Sequence, residues 1–366
     1  MRWTSVKIGF ILNPIAGMGG SVGLKGTDGR AYNDALRLGA VRTSHLAAKR
    51  ALSDIDGNVS FVSAEMMGSE VLDALGIDHE VIPMKKGTTT GNDTRAVAKI
   101  MKESCGLILF CGGDGTARDI LDAVGEDTLV LGIPAGVKMY SSVFATTPED
   151  VREIVRAFVN GDTVPMKREV MDINEEYHRN GILAARLYGY MTVPYVPSLV
   201  QSCKGTYDTP DEYAEADEVA EYVVSEMDDD TLYIIGPGST TGRIMERMGM
   251  KHTLLGIDAV FNRELIGSNM NESRLIDLMK KYDKKVLVLG IIGKQGFFLG
   301  RGNKELTPAV IKMIGIDNIM LVSGATKLND LKELHVDTGD PELDKELKGY
   351  RKVVFKYGRE RVVKVT

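Results

Sequence analysis

The sequence is poor in the residues that build disulfides and zinc sites. Of its 366 residues, three are cysteine (Cys105, Cys111 and Cys203) and five are histidine. The cysteines form no Cys-x-x-Cys pair and the histidines no His-x-His or His-Glu-x-x-His motif, so neither a disulfide framework nor a zinc centre is expected. An odd number of cysteines, two of them in or beside an apolar run, is typical of buried thiols in a reducing compartment. We therefore expect a cytoplasmic location.

Long apolar runs and an excess of basic residues are also missing. No apolar run approaches the roughly 20 residues that a membrane-spanning helix needs. The short run from Ile8 to Leu12 leads directly into a glycine-rich turn, which predicts a first strand and not a signal peptide. With 45 basic and 51 acidic residues, the net charge is −6. Because nucleic-acid binders usually carry a basic surface, we expect a small-molecule partner, and neither a nucleic acid nor a membrane.

A chain of this length predicts two domains, and a change of pattern places them at residues 1–162 and 163–366. In the first domain, short β-rich runs alternate with helical patterns. Residues 106–111 (GLILFC) are apolar throughout, as in a parallel strand covered on both faces. This alternation predicts an α/β fold with a doubly wound parallel sheet. The second domain contains a candidate hairpin around Asn180-Gly181 and another around Tyr357-Gly358, which predicts a mixed, β-rich α/β unit.

The sharpest signal is the loop Gly112-Gly113-Asp114-Gly115-Thr116, which lies between the strand at 106–111 and a helical pattern. Main-chain amides at the start of a helix bind anions, and glycines remove the side chains that would block a phosphate. A carboxylate beside bound phosphates suits a general base that accepts a proton from an attacking hydroxyl, or a Mg²⁺ ligand. The glycines and Thr116 are therefore predicted to bind phosphate, and Asp114 to be catalytic. The alternative is an ordinary turn in which Asp114 or Thr116 caps the helix.

Two further glycine-containing loops, NPIAG and GIPAGVK, follow predicted strands of the same domain. Because the carboxyl ends of parallel strands meet at one edge of a sheet, these loops and GGDGT are expected to form one pocket there. The residues predicted to bind ligand in these two loops are Asn13, Gly17, Pro134, Gly136 and Lys138. Lys138 supplies a cation for phosphate, or alternatively is a solvated loop lysine. A helix is expected to begin at Ser141, after the second of these loops.

The second domain contains two candidate anion sites. In GPGSTTG, main-chain amides and hydroxyl groups are predicted to surround an anion at the start of a helix, and a capped turn is the alternative. The residues concerned are Gly238, Ser239 and Thr240. In GRGN, Arg301 is placed to clamp a phosphate through two hydrogen bonds, or else belongs to a surface loop. Asp337 and Asp340 fit a metal site or ordinary acidic turns, of which the turns are favoured.

The three strings NPIAG, GGDGT and GIPAG, in this order, resemble the superfamily that unites NAD kinases with diacylglycerol and sphingosine kinases. The longer strings NPIAGMGGSVGLKGTDG, FCGGDGTARDI and GIPAGVKMYSSVFA are similar to ATP-NAD kinase-like proteins of the AcoX type. The resemblance covers nearly the whole chain. It implies ATP as donor, Mg²⁺ as metal, a homo-oligomer, and Asp114 as the base that activates an acceptor hydroxyl. If the acceptor is NAD, that hydroxyl is the 2′-hydroxyl of the adenosine ribose and the product is NADP.

One departure from the family pattern concerns the acceptor. In NAD kinases, a hairpin after the first domain ends in an Asn-Glu pair that binds the dinucleotide. Here Leu187-Tyr188-Gly189-Tyr190 stands at that place, and Asn174-Glu175 occurs earlier, on the first strand of the hairpin. NAD is the acceptor expected first. The alternatives are a kinase for another hydroxylated acceptor (a polyol, a nucleoside or a lipid) and a nucleotide-binding regulator without catalysis.

Overall fold

The chain forms two large β-sheets, each with its own hydrophobic core, and two smaller two-stranded sheets. The structure is a computed structural model, and the residues it describes are 6–20, 22–24, 30–55, 59–85, 87–136, 139–173, 185–197, 199–201, 210–293 and 295–366. The buried side chains of the first core belong to residues 8–200. Those that pack against the second sheet belong to residues 219–365. We call the described residues up to 201 the first unit and those from 210 the second unit.

The first sheet is entirely parallel and has the order β3-β2-β1-β4-β5. Its strands are β1 (Val6–Leu12), β2 (Val59–Ala64), β3 (His79–Ile82), β4 (Leu107–Gly112) and β5 (Val130–Pro134). The helices of this unit are α1 (Arg30–Arg37), α2 (Ser44–Leu52), α3 (Ser69–Leu75), α4 (Gly91–Lys102), α5 (Asp114–Val124) and α6 (Asp150–Asn160). The strand order changes direction between β1 and β4, which is where open α/β sheets bind ligands.

Helices cover both faces of this sheet, as a doubly wound fold requires. Gly9 of β1 pairs with Ile108 of β4, so the two residues point to the same face. A Cβ on Gly9 would lie 2.7 Å from the Met101 sulfur of α4, which therefore covers that face. Cys111 points to the opposite face, where its thiol donates to the Ser44 carbonyl of α2 at 3.4 Å. The predicted doubly wound parallel sheet is confirmed, with β4 buried along its whole length.

An antiparallel hairpin, β6 (Val164–Ile173) and β7 (Ala185–Tyr195), follows the first sheet and adds to its core. Val170, Met191 and Val193 are completely buried in the first hydrophobic cluster. The hairpin predicted from the sequence is confirmed; Asn174-Glu175 and Asn180-Gly181 lie outside the described residues. The domain boundary between residues 162 and 163 stays a prediction, because the hairpin begins the stretch assigned to the second domain yet packs with the first core.

The second sheet is mixed and has the order β10-β9-β8-β11-β13-β15-β16, with β8, β11, β13 and β15 parallel. The strands of the second unit are β8 (Leu232–Ile235), β9 (Asp258–Phe261), β10 (Glu264–Gly267), β11 (Lys285–Gly290), β12 (Phe297–Leu299), β13 (Ile319–Val322), β14 (His335–Val336), β15 (Gly349–Lys356) and β16 (Arg359–Val365). Its helices are α7 (Pro210–Ser225), α8 (Ser239–Arg247), α9 (Glu272–Met279), α10 (Pro308–Ile314), α11 (Ala325–Asn329) and α12 (Pro341–Leu347). The mixed second unit and its terminal hairpin are as predicted. In the described ranges, no helix combines the length and the hydropathy that crossing a membrane requires.

The helix expected from Ser141 is wrong. Residues 139–149 are irregular, with isolated bridges from Phe144 to Gly132 and from Ala145 to Val200. The side chain of Ser141 accepts from the Met171 amide at 2.9 Å, and that of Ser142 from the Glu169 amide at 2.9 Å. The segment therefore satisfies its polar groups through the hairpin, where a helix would satisfy them internally.

Candidate active site

Three loops meet at the carboxyl edge of the first sheet, because they follow the adjacent strands β1, β4 and β5. We call residues 13–20 the first loop, 112–116 the second loop and 134–136 the third loop. The Asn13 main-chain amide donates to the Cys111 carbonyl at 2.9 Å, which joins the first loop to β4 just before the second loop. A Cβ on Gly136 would lie only 2.9 Å from the Gly113 Cα, so the second and third loops touch through backbone. A Cβ on Gly17, where φ is +74°, would lie 2.1 Å from the Ala135 carbonyl oxygen.

The start of α5 has the features of an anion site. The Asn13 side-chain amide donates to Thr116 Oγ1 at 2.9 Å, and its carbonyl accepts from the Ile15 amide at 3.1 Å. A Cβ on Gly112 would lie 2.4 Å from the same Thr116 oxygen, so only glycine permits this turn. The first-turn amides of a helix, here including that of Gly115, have no intrahelical acceptor, and the helix dipole makes this end positive. Asn13 and the second loop therefore present main-chain amides of the kind that bind anions.

Asp114 is the first residue of α5 and is almost completely buried, with 7% of its surface exposed. Its Oδ2 accepts from the Tyr140 amide at 2.8 Å and its Oδ1 from the Ser141 amide at 3.0 Å. Burial raises the pKa of the Asp114 carboxyl above its usual value, although these hydrogen bonds lower it in part. The carboxylate thus fixes the segment after the third loop and is tuned toward accepting a proton.

A pocket of about 290 Å³ opens beside the start of α5. Its walls come from the first and second loops, the start of α4, the exposed side of α5, and the hairpin. The residues that matter for its chemistry are Asn13, Thr90, Gly91, Gly115, Thr116, Arg118, Asp119, Asp122 and Tyr188. Gly115, Asp119 and Asp122 follow one another along one face of α5, so the pocket runs along that helix.

The two ends of this pocket differ in charge. At the α5 start, the lining consists of main-chain amides and the Asn13 and Thr116 side chains. Further along α5, the lining includes the carboxylates of Asp119 and Asp122, and Asp119 forms an ion pair with Arg95. Arg118 is the cation at this end, and it forms an ion pair with Asp172 of β6. The pocket therefore has one end lined by main-chain amides and one acidic end.

The loop predicted around Gly238, Ser239 and Thr240 lies at the carboxyl edge of the second sheet. Gly238 precedes α8 with a φ of +130°, and its amide donates to the Leu254 carbonyl at 3.0 Å. Lys327 of α11 donates to Ser239 Oγ at 3.2 Å. These residues belong to another sheet than the three loops of the first unit. Their part in binding a ligand stays a prediction.

Arg301 lies between the two units and is 5% exposed. Its guanidinium donates to the Thr146 carbonyl at 2.8 Å and stacks over the Phe297 ring, with 4.8 Å from its Cζ to the ring centroid. Asp337 lies 3.9 Å away. Burial lowers the pKa of Arg301 to about 10. The observed contacts join this guanidinium to protein groups, and its predicted role as a phosphate clamp stays a prediction.

Lys304 is a site neighbour that the sequence reasoning missed. Its Nζ donates to the Ala135 carbonyl at 3.1 Å, and it lies 3.1 Å from where a Cβ on Gly17 would be. The second unit thereby reaches the first and third loops. Burial lowers the pKa of Lys304 to about 8. In the sequence, only its position directly after GRGN indicates a site residue. That indication is weak, because Lys304 reaches the first and third loops only through the packing of the two units.

The described carboxylates do not form a cage for a metal ion. Within the described ranges, no group of three or more His, Cys, Asp or Glu side chains is placed to hold one. Asp337 pairs with Arg50 at 2.9 Å and Asp340 caps α12. A Mg²⁺ that arrives with nucleotide phosphates needs only one or two protein carboxylates. Asp119, about one turn along α5 from Gly115, fits that requirement.

Lys138, the predicted cation of the third loop, lies outside the described residues. The other predicted residues of the first unit are described and lie together at one sheet edge. Pro134 is the last residue of β5 and pairs with Gly112 in the sheet register. Gly115 and Thr116 open α5, and Gly17 packs on the third loop. Their binding of phosphate stays a prediction.

Comparison with known proteins identifies the family. The model of the ATP-NAD kinase N-terminal domain matches residues 8–163, and that of the ATP-NAD kinase C-terminal domain matches residues 228–365. No curated protein matches the chain significantly. Among solved structures, the chain is similar to a diacylglycerol kinase from Bacillus anthracis str. Sterne at 17% identity, over 46% of each chain, with a TM-score of 0.23. The alignment thus spans less than half of that protein, and a TM-score this low does not establish a shared fold. The two domain models cover both large sheets, and the chain belongs to the NAD kinase family.

Proposed function

We propose that this protein is a kinase that transfers a phosphoryl group from ATP to a hydroxyl of a small molecule. The observation that carries the proposal is the position of Asp114, which sits at the start of α5 where three backbone loops meet beside a pocket. Membership of the NAD kinase family supports a phosphotransferase. The free thiols of Cys105 and Cys111 are compatible with the proposed cytoplasmic location, and the proposed homo-oligomer follows from family resemblance alone.

In the proposed reaction, the donor phosphates lie on the amides of Gly115 and Thr116, with the Asn13 side chain beside them. The acceptor hydroxyl gives its proton to the Asp114 carboxylate, its oxygen bonds to the γ-phosphorus, and the bond from phosphorus to the ADP oxygen breaks. A nucleotide-bound Mg²⁺, with Asp119 as its protein carboxylate, would neutralise charge on the phosphates. The positive end of α5 stabilises the negative charge in the same place.

The environment of Asp114 is compatible with a general base although both its oxygens already accept amide hydrogen bonds. A carboxylate offers about four lone-pair positions, of which the Tyr140 and Ser141 amides use two and the Ser141 hydroxyl a third. The fourth position is the one that we propose for a substrate hydroxyl. Burial raises the pKa of Asp114, which brings its basicity closer to that of an effective proton acceptor.

The acceptor proposed first is NAD, phosphorylated on the 2′-hydroxyl of its adenosine ribose to give NADP. Family membership supports this choice. One observation favours a second candidate, a kinase for another hydroxylated small molecule such as a polyol or a nucleoside. Where the family resemblance leads us to expect an Asn-Glu pair, β7 carries Leu187-Tyr188-Gly189-Tyr190, with Tyr188 41% and Tyr190 38% exposed. These rings replace the amide and carboxylate that would bind a dinucleotide.

The test is phosphoryl transfer by Asp114→Asn, assayed with ATP, Mg²⁺ and a panel of NAD, polyols and nucleosides. We expect kcat to fall about 100- to 10,000-fold, the usual contribution of a general base, while the Kd for ATP changes little. Asp258→Asn is the matched control, because Asp258 is equally buried and accepts two main-chain amides, from Thr253 at 2.6 Å and Asn269 at 3.0 Å. Equal activity in the two variants would exclude Asp114 as the base. A wild-type protein that binds ATP or NAD but phosphorylates no acceptor would instead be a regulator.

A further inference from the structure

The acidic end of the pocket is closed by Tyr188, which the proposed reaction does not use. Its hydroxyl donates to Asp122 Oδ1 at 2.8 Å, so the ring is held beside α5. The ring remains 41% exposed and lines the pocket together with Asn13 and Thr116. A tethered aromatic ring that keeps an open face is suited to stacking against a flat ligand group.

The backbone of β7 is irregular at this residue. Val170 pairs with Gly189 and the next residue of β6, Met171, pairs with Leu187, so Tyr188 is the extra residue of a β-bulge. A bulge re-aims a side chain out of the regular alternation of a strand, and bulges are frequent beside active sites. Tyr188 therefore points to the pocket because of a defined backbone feature.

Gly189 explains how β7 comes close enough to α5. A Cβ on Gly189 would lie 2.8 Å from Leu121 Cδ2 of α5, so a larger residue would require the Leu121 side chain or the strand to move. That close approach places the neighbouring Tyr188 within hydrogen-bond distance of Asp122. In Leu187-Tyr188-Gly189, the bulge thus directs the Tyr188 ring toward the pocket, and the glycine lets β7 lie close to α5.

The charges along the pocket determine which part of a phosphoryl donor would contact the Tyr188 ring. Phosphates belong at the start of α5, and Asp122 lies seven residues beyond Gly115, about two helical turns or 11 Å away. Asp122 would repel further phosphates at that end, because like charges in a partly buried pocket are not fully screened, and the cation there, Arg118, is paired with Asp172. The Asp122 carboxylate can also accept hydrogen bonds from ribose hydroxyls and from exocyclic amino groups of bases.

We propose that Tyr188 is a specificity-determining residue that stacks on the nucleobase of the phosphoryl donor, so that the site selects a nucleoside triphosphate over inorganic polyphosphate. The proposal rests on the proposed function, since it assigns the two ends of one donor to the two ends of this pocket. Asp122 orients the ring through the tyrosine hydroxyl. The donor base therefore lies between the hairpin and α5, and its triphosphate extends toward Asp114.

The test measures binding, which makes it independent of turnover. Calorimetric titrations with ATP, tripolyphosphate and NAD are compared for wild type, Tyr188→Ala and Tyr188→Phe. We expect Tyr188→Ala to weaken ATP binding about 5- to 150-fold, the effect of losing one base–aromatic stack, and to leave tripolyphosphate binding unchanged. Tyr188→Phe retains the ring and should stay within a few-fold of wild type. Tyr190→Ala is the control, because Tyr190 is similarly exposed on the same strand but does not line the pocket.

Several outcomes would overturn the proposal: unchanged ATP binding in Tyr188→Ala, equal weakening of ATP and tripolyphosphate, or weakening of NAD alone. A wild-type protein that binds no ATP would also overturn it. If ATP binding weakens as expected but the wild type transfers no phosphoryl group, the role of Tyr188 in binding the base stands and the proposed kinase function fails. Thermal unfolding of each variant verifies that it is folded.

Discussion

Asp114 holds the backbone after the third loop with the same carboxylate that the proposed reaction uses as a base. Its two amide hydrogen bonds come from Tyr140 and Ser141, which lie on the far side of the third loop. Removing the whole carboxylate would leave two buried amides without acceptors, at roughly 1–3 kcal/mol each. Asparagine is therefore a better probe of the chemistry than alanine, since it retains one acceptor.

Gly17 provides a prediction at the same scale. Gly17→Ala is expected to destabilise the protein through its positive φ and through a Cβ placed 2.1 Å from the Ala135 carbonyl oxygen. Gly39→Ala is the matched control, because Gly39 has a φ of +81° and open space around it. The control should lose about 1–2 kcal/mol of unfolding free energy, and Gly17→Ala a further 1–3 kcal/mol or so from overpacking. Urea denaturation measures both, and equal losses would contradict the tight contact between the first and third loops.

Residues 139–149 form an element of the site that has no regular secondary structure. The segment precedes α6, and the polar groups that fix it include the Asp114 carboxylate and the hydroxyls of Ser141 and Ser142. Ser142 also hydrogen-bonds the Glu169 carboxylate. The amides of Glu169 and Met171 that bind these two hydroxyls belong to β6. Because Ser141 in turn donates its amide to Asp114, the position of Asp114 depends on how β6 packs against the sheet.

Ser141→Ala is the corresponding prediction. The Ser141 hydroxyl is fully buried and accepts from the Met171 amide, so its removal leaves that amide unsatisfied. We expect a loss of about 1–3 kcal/mol in unfolding free energy by urea denaturation. Ser225→Ala is the control, since Ser225 is exposed and bonds only a carbonyl of its own helix, and it should stay within about 0.5 kcal/mol of wild type. Similar losses would mean that the hairpin does not hold this segment.

The elements that follow local periodicity were predictable from the sequence, and those that depend on distant partners were not. The apolar run 106–111 predicted β4 and the GGDGT loop after it, because strand, turn and helix signals are adjacent in the chain. The helix expected from Ser141 failed because the partners of that segment are 27 to 30 residues away. The bulge at Tyr188 was not visible either, since it depends on the register between two strands.

At the scale of the whole molecule, charged side chains connect the two units. Arg50 of α2 bonds Glu149 at 2.6 Å and Asp337 of the second unit at 2.9 Å. Arg301 and Lys304 reach Thr146 and Ala135, which lie 155 and 169 residues away in the chain. A single sequence gives no signal for such pairs, so the Lys304 contact with the first and third loops could not be predicted.

Lys304 gives a pH prediction. Its folded-state pKa of about 8 is lowered from an ordinary lysine value of 10.5, so above pH 8 the unfolded chain binds more protons at this residue. The contribution of Lys304 to the free energy of unfolding therefore rises from about pH 8 to about pH 10. Below pH 8 the lysine is charged in both states, and burying its ammonium destabilises the folded protein by the full amount. Relative to Lys304→Met, the wild type should gain unfolding free energy across that window, as measured by urea denaturation at each pH. A difference that does not change with pH would contradict the burial of this ammonium.

The bulge in β7 has a consequence for how such a site changes over evolutionary time. The floor of the proposed phosphate site consists of backbone from three loops that touch each other directly, as Gly113 and Gly136 do. Substitution of side chains on the rim leaves that floor intact. One added residue in a hairpin strand turns a new side chain toward the ligand while the pairs on either side persist. In the proposed kinase, ligand preference therefore depends on the hairpin strand and phosphoryl transfer on the three loops, so that one can diversify while the other is inherited unchanged.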